Sequence, residues 1–399
     1  MRLRFVWALA GWAAAVALFS ATAGGVPAHG EGANSRDLDA LAVGSRVAGW
    51  QLAHMDNFDY VGPEAHRRDA RAPRDWVQAA FYIGLARFAD TVGNPHYMEA
   101  VLTHGMAEGW GFDSRPRHAD ADATGSVWVW AAERTHDPAK LIPTRARGDA
   151  VLSDPSTVSL EFEAAPPGRA PHCQDRWCWS DALFMAPPTW IALTKATADE
   201  RYLAHADREF WATTDYLYDR SEHLYYRDSR FIPQRDPKGR KIFWGRGNGW
   251  VFAGLARILA ALPADHPSRP RYESLFKQMA ERIAGLQGAT GSWPISLLEP
   301  QRTPETSGTG FFVYGLAWGI NHGLLPPKRY RHCVDSGWRA LAAAVQPDGK
   351  LGWVQHIGDG PGQVTADDTQ LYGVGAFLLA AGEVSRLTPP RLLTGTRSP

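Results

Sequence analysis

The chain has 399 residues, 45% hydrophobic and 21% charged, which is the composition of a folded globular protein and excludes a disordered or fibrous one. Its 42 Lys and Arg balance 42 Asp and Glu, so it has no basic field of the kind that nucleic-acid binding requires. The 17 Trp are the oddity, because indole rings stack on the flat faces of sugars and also fill wide cores.

Arg2 and Arg4 precede an apolar run, Phe5 to Phe19, and Ala21-Thr22-Ala23 follows as a small-residue cleavage site. This is the pattern of a secretory signal, predicted over residues 1–23. The run is shorter than the ~20 residues of a spanning helix, so export without a membrane anchor is expected, to the periplasm or the exterior. Residues 24–39 read as a flexible leader, 40–386 as one folded domain and 387–399 as a disordered tail. Within 40–386 no Ser/Gly linker or charge run marks a boundary.

The helical text begins with Val77 to Phe88, stopped by Gly93-Asn94-Pro95, and a second helix is predicted from Tyr97 to about Gly105. Residues 144–172, with Pro155, Pro166, Pro167 and Pro171, read as a long irregular insertion. Helices follow over Ala182–Thr197 and Arg201–Ala212. The alternating residues 222–230, followed by Asp236-Pro237-Lys238-Gly239, carry a hairpin signature. Further pairs run over Val251–Leu262 and Tyr272–Gln287, and over Phe311–His322 and Tyr330–Val345; a last helix spans Leu371–Ser385. The first helix of each pair is rich in Gly, Ala and aromatics, hence buried all round, whereas the second carries a charged face.

Each first helix opens on a polar or glycine-rich turn. Counted from Asp75, Asp122, Asp181, Asn248, Ser307 and Asp367, the openings recur roughly 47 to 67 residues apart, a period that marks a repeat architecture. Six helical hairpins are implied, with the inner N-termini gathered at one end, where helix ends favour anions. The last unit has little after its inner helix, so closure is expected from Ala40 to Met55.

Asp181 is the leading candidate for chemistry. It lies between Trp177-Cys178-Trp179-Ser180 and a buried helix, where a carboxyl walled by Trp177 and Trp179 is desolvated and raised toward general-acid use. The same position suits a plain N-cap. Asp120 and Asp122, in His118-Ala119-Asp120-Ala121-Asp122, each offer a second carboxylate. In Trp244-Gly245-Arg246-Gly247-Asn248-Gly249-Trp250 the glycines admit a ligand closely, Arg246 suits a carboxylate, Asn248 adds hydrogen bonds and Trp244 or Trp250 can stack. Thr306, Trp353 and His356 supply groups at the same end, while His54, His118 and His356 taken singly read as structural. Cys173 and Cys178 can bridge a tight loop beside Asp181, and Cys333 falls in a helix, where it is expected to be buried. No Cys/His set has metal-ligand spacing.

Trp179-Ser180-Asp181-Ala182-Leu183-Phe184-Met185-Ala186-Pro187-Pro188, Trp244 to Trp250, Pro304 to Thr309, Leu351 to Gln355 and Asp368 to Ala380 occur in this order. Together they resemble the unsaturated glucuronyl and rhamnogalacturonyl hydrolases of glycoside hydrolase families 88 and 105, over about residues 40–386. The resemblance implies an all-α (α/α)6 barrel, a six-hairpin toroid. It also implies a cofactor-free hydrolase that removes 4,5-unsaturated uronic acid from lyase-generated oligosaccharides by hydrating the C4=C5 bond. Asp181 then matches the acid/base, Asp120 the assisting aspartate with Asp122 competing, and Arg246 the group near the uronate carboxylate. Arg227, in Arg227-Asp228-Ser229-Arg230, stands where many relatives carry a His-centred turn, so its aglycone contacts differ. A monomer or weak homodimer is expected. A conventional inverting glycosidase on the same barrel and a non-catalytic carbohydrate-binding protein are the alternatives.

Overall fold

Every one of the predicted openings begins an inner helix. The computed structural model describes residues 39–163, 171–300 and 303–387; the expected signal, almost all of the leader, and the tail beyond 387 lie outside the described residues. In chain order, α1 (Ala40–Ala53) and α2 (Glu64–Arg71) precede the pairs α3 (Trp76–Val92) with α4 (Pro95–Ala107) and α5 (Ala119–Thr135) with α6 (Ile142–Ser153). A broken helix, α7 (Ala182–Met185) and α8 (Pro187–Thr197), then pairs with α9 (Glu200–Leu217). The series ends with α10 (Gly245–Ala261) and α11 (Arg269–Ala284), α12 (Thr306–Asn321) and α13 (Pro327–Ala343), and finally α14 (Leu371–Leu387).

Helix α3 packs on α5, α5 on α7 and α8, these on α10, α10 on α12, α12 on α14, and α14 back on α3. The ring is an (α/α)6 barrel. Its sixth pair is completed by α1, which packs on α14, as the closure argument requires. Asp39 caps α1 through its side chain, so the last leader residue belongs to the fold. Likewise α14 runs on to Leu387.

Burial explains the two layers. Every residue from Gly245 to Leu259 in α10 and from Thr306 to Ile320 in α12 is buried, as an inner helix demands. Helix α11 buries only Tyr272, Leu275, Phe276, Met279, Ala280 and Ile283, the stripe of an outer helix. Glycine allows the inner helices to touch: a Cβ at Gly84 would lie 2.3 Å from the Gly375 carbonyl oxygen, and one at Gly254 2.4 Å from that of Leu183.

Three expectations need correction. Residues 142–153 form α6 rather than irregular chain; the helix buries only Thr144 and Gly148, too little to print an apolar stripe. A strand does form within 222–230, as Leu224–Tyr225 (β2), but it pairs antiparallel with the preceding Tyr218–Asp219 (β1), and the Asp236–Gly239 turn closes only an isolated Arg235–Lys241 bridge. The helix expected over 182–197 breaks at Ala186, because Pro187 and Pro188 have no N–H for the carbonyls one turn back. Arg257 Nη1 donates to one of these, Phe184 O, at 2.8 Å. Cys173 and Cys178 are bridged, and Cys333 is free and buried in α13. Among the described residues no helix is long and apolar enough to cross a membrane.

Candidate active site

Acidic side chains occupy the N-cap positions of α3, α7 and α12, and two of the three cap. Asp75 accepts the Val77 N–H, and Glu305 accepts those of Ser307 and Gly308. Asp181 does not cap its helix. Its Oδ2 instead accepts from Ser180 Oγ at 3.1 Å and lies 3.6 Å from Arg227 Nε. The turn itself is held by the Ser180 N–H, which donates to Arg227 O at 2.8 Å. Asp181 is buried, and burial raises its pKa above the ordinary carboxylate range against the opposing charges of Arg227 and Arg246. A carboxyl raised by burial and left out of the cap is equipped to give up a proton.

Asp120, in the first turn of α5, stands near it. Burial pushes its pKa to about 7; Arg115 works against that rise, and the Asp181 charge adds to it. Its Oδ2 lies 3.6 Å from Arg115 Nη1 and 3.5 Å from His118 Nδ1. His118 is the N-cap of α5, packs against Trp179 at 4.9 Å, and is pushed down to about 4 by burial, so it is neutral at neutral pH. Arg115 also meets Asp113 at 2.6 Å and Asp75 at 3.4 Å. Asp75 is raised to about 7 by burial and then by the Asp120 charge.

Asp122 is turned the other way. Arg147 Nε donates to its Oδ1 at 2.9 Å and Trp190 Nε1 to its Oδ2 at 3.0 Å. Both oxygens are thus held by structural partners.

The Trp244–Trp250 motif divides in the same manner. Arg246 is sandwiched between the rings of Trp244 at 4.4 Å and Tyr372 at 4.7 Å, and its terminal nitrogens donate to the carbonyls of Gln355 and His356. Only its Nε has no partner. Asn248, expected to meet ligand, is instead wholly used by backbone: Oδ1 accepts from Tyr225 N and Nδ2 donates to Tyr225 O and Trp244 O, which ties β2 to α10. Trp250 is packed among Trp76, Phe184, Phe311 and Tyr372 as barrel floor, not as a stacking surface. Trp244 is buried and donates to Gln355 Oε1 at 2.9 Å.

Thr306 hydroxyl donates to Gly352 O and is spent on structure. Trp177 packs edge-on against His205 of α9, away from Asp181, so the aromatic wall of the site is Trp179 alone of the two. Trp353, partly exposed, is held at a left-handed φ of 59°. His356 Nε2 lies 3.0 Å from Asp368 Oδ1. Arg227 donates to Asp228 at 2.8 Å and lies over Phe162, while its Nε has no hydrogen bond. A cavity of about 600 Å³, lined by Phe231, Gln234, Gln355, His356 and Asp359 among others, opens beside the Arg246 cradle rather than on Asp181 itself. Among the described residues no three or more His, Cys, Asp or Glu gather to hold a metal ion.

Sequence reasoning missed Arg115, Asp228 and Tyr372. Arg115 sits in a loop without periodicity and Asp228 at the end of the alternating stretch 222–230, and only the fold brings them to the mouth; Tyr372 had a signal, its place in the first turn of the last inner helix.

The family described as Glycosyl Hydrolase Family 88 matches residues 45–388. The chain is 43% identical over 358 residues to an unsaturated 3S-rhamnoglycuronyl hydrolase of Alteromonas sp. (strain LOR), covering 88% of this chain and 86% of that protein. It is 40% identical to a protein of the same name from Formosa agariphila, covering 81% and 88%. Among solved structures, a glycosyl hydrolase family 88 protein from Bacteroides vulgatus superposes with a TM-score of 0.75 at 28% identity, covering 88% of this chain and 99% of that one.

Proposed function

This chain belongs to glycosyl hydrolase family 88, and on that premise we propose that Asp181 is its acid and base. The protein is a glycoside hydrolase that removes 4,5-unsaturated uronic acid from the non-reducing end of lyase-generated oligosaccharides by hydrating the C4=C5 bond. In the mechanism we derive, the Asp181 carboxyl gives its proton to C4, the π pair becomes the C4–H bond, and the ring oxygen stabilises the cation left at C5. Water adds at C5 and returns a proton to Asp181. The hemiketal opens to a ketone, and the hemiacetal left at C1 releases the next sugar.

The observation that carries this reading is a buried carboxyl at a helix opening that does not cap, with its pKa raised. Asp120 is the assisting aspartate and Asp122 a structural one, because only Asp120 is within reach of the Asp181 field with an oxygen free of strong donors. Arg227, with an unbonded Nε beside Asp181, takes the uronate carboxylate first. Arg246, its terminal nitrogens occupied, acts through its field. Trp179, His118, Trp353 and His356 line the approach. The name shared by its two curated relatives supports an unsaturated 3S-rhamnoglycuronyl oligosaccharide as the substrate, and the sequence motifs support the family 105 division of the group. Export is supported by the Arg2-to-Ala23 pattern and by the Cys173–Cys178 bridge, which suits an oxidising compartment.

The test is the ultraviolet absorbance of the enol ether in a panel of lyase digests, with products identified by mass. Wild type removes it from at least one digest and Asp181→Asn does not. Loss of signal at the wild-type rate in Asp181→Asn would overturn the assignment.

A further inference from the structure

The barrel has a second polar cavity at its other end. Residues from the later turns of α3, α10, α12 and α14 enclose about 200 Å³, lined by Arg87, Arg257, Tyr314, Glu383 and Arg386 among others. Arg257 lies 11 residues beyond Arg246 on α10, about 16 Å along the helix, so this cavity is separate from the Asp181 mouth.

Its charges do not balance. Arg257 is 8% exposed, and it donates only to neutral oxygens, Phe184 O at 2.8 Å and Ser126 Oγ at 2.7 Å. No carboxylate is paired with it among the described residues, and burial lowers its pKa to about 9, which leaves it charged at neutral pH. A buried cation without a counter-charge is costly unless something compensates it. Tyr314 is 6% exposed, and its hydroxyl has no hydrogen-bond partner among the described residues, although the charges of Glu383, Arg257, Arg87 and Arg386 all reach it. The two acids at the cavity are already held: Asp90 by Arg134 at 2.7 and 2.8 Å, by Trp130 and, at 3.8 Å, by Arg87, and Glu383 by Arg386 at 2.6 Å and by Asn321 at 2.8 Å. The Arg257 guanidinium, without a carboxylate of its own, and a free phenol thus face a space whose two carboxylates are spent on Arg87, Arg134 and Arg386.

We infer that this cavity is a binding site for a small oxyanion of the sulfate, phosphate or carboxylate kind, gripped by Arg257 and the Tyr314 hydroxyl with Arg87 and Arg386 at its rim. A planar guanidinium and a hydroxyl donor are the pair that oxyanions take. An anion bound there draws α3, α10, α12 and α14 together, so its binding registers as stability of the fold rather than as turnover.

The experiment is a thermal melt of the full chain at constant ionic strength, replacing sodium chloride by sulfate, phosphate or acetate, with calorimetric titration of whichever stabilises. The expected result is a saturable rise in Tm with at least one of the three. The apparent affinity should then weaken roughly tenfold in Tyr314→Phe, the loss of one hydrogen bond to a charged ligand, with kcat/KM unchanged. Arg257→Met should abolish the effect; if that variant does not fold, Arg87→Gln combined with Tyr314→Phe carries the same expectation. The three anions separate the ligand classes. An unsaturable rise in Tm, no rise, or the same affinity in wild type and Tyr314→Phe would overturn the proposal.

Discussion

Glu305 and Asp181 are buried carboxyls at corresponding places, the openings of inner helices, yet they are used in opposite ways. Glu305 receives the N–H groups of Ser307, Gly308 and Gln355 and is saturated by the chain around it. Asp181 receives none of its own helix's first-turn N–H groups through its side chain, and faces Ser180 and Arg227. The reason lies downstream of each. Helix α12 runs unbroken for 16 residues and presents a full first turn to be capped, whereas α7 lasts four residues before Pro187. Left out of the cap, the Asp181 carboxyl is raised by burial, so it holds its proton to higher pH than an ordinary carboxylate. The difference teaches that position in the repeat brings a carboxyl to the mouth of the barrel, and local hydrogen bonding decides whether it is spent there.

The comparison predicts a split between turnover and stability, and the variants rank by how far they should move either. Asp181→Asn should lower kcat by roughly 10²–10⁴-fold with Tm at or above that of wild type, the range expected when a general acid is removed. An equal loss of kcat in Glu305→Gln would break the contrast. Asp122→Ala strips the partner from Arg147, whose side chain is as buried as that of Asp122, and should cost about 3–5 kcal/mol in denaturant unfolding while the folded fraction keeps its activity. Glu305→Ala should cost about 2–3 kcal/mol, a lost cap together with unsatisfied buried donors, again with turnover of the folded enzyme largely retained.

The smallest effect is one of pH. Asp120 and Asp75 are raised in the fold from 3.8 to about 7, so folding favours their protonated forms. Their contribution to stability is complete below about pH 4 and is lost as pH rises through about 7. Wild type should therefore lose stability between pH 5 and 8 relative to Asp120→Asn, by about 1 kcal/mol or more, measured by urea unfolding across that range. Parallel curves would show that Asp120 keeps its ordinary pKa and would remove it from the Asp181 pair.

Much of this arrangement was legible before folding. The inner helices announce themselves because a helix buried all round needs Gly, Ala and aromatics on every face, and the openings recur because each hairpin spends about the same length. Helix α6 was not legible, since a helix that buries two small residues has no stripe to read. Nor was the choice between Asp120 and Asp122: two positions on a helix differ by about 200° of rotation, so one faces the mouth and the other Arg147 and Trp190. Asn248 and Trp250 illustrate the opposite error, in which a motif that looks made for ligand is the joint that fixes β2 and the floor that carries the mouth.

The sequence by itself determined the inner helices, their number and the end at which the acids collect, because periodicity and capping depend on neighbours along the chain. Tertiary structure alone decided which acid is free, which guanidinium is spent and which carboxyls share a field. Arg227 reaches Asp181 across 46 positions, Arg147 reaches Asp122 across 25, and Gln355 accepts Arg246 across 109. A carboxyl's proton affinity is set by what lies within a few ångströms in space, and no order of residues states that until the ring has closed.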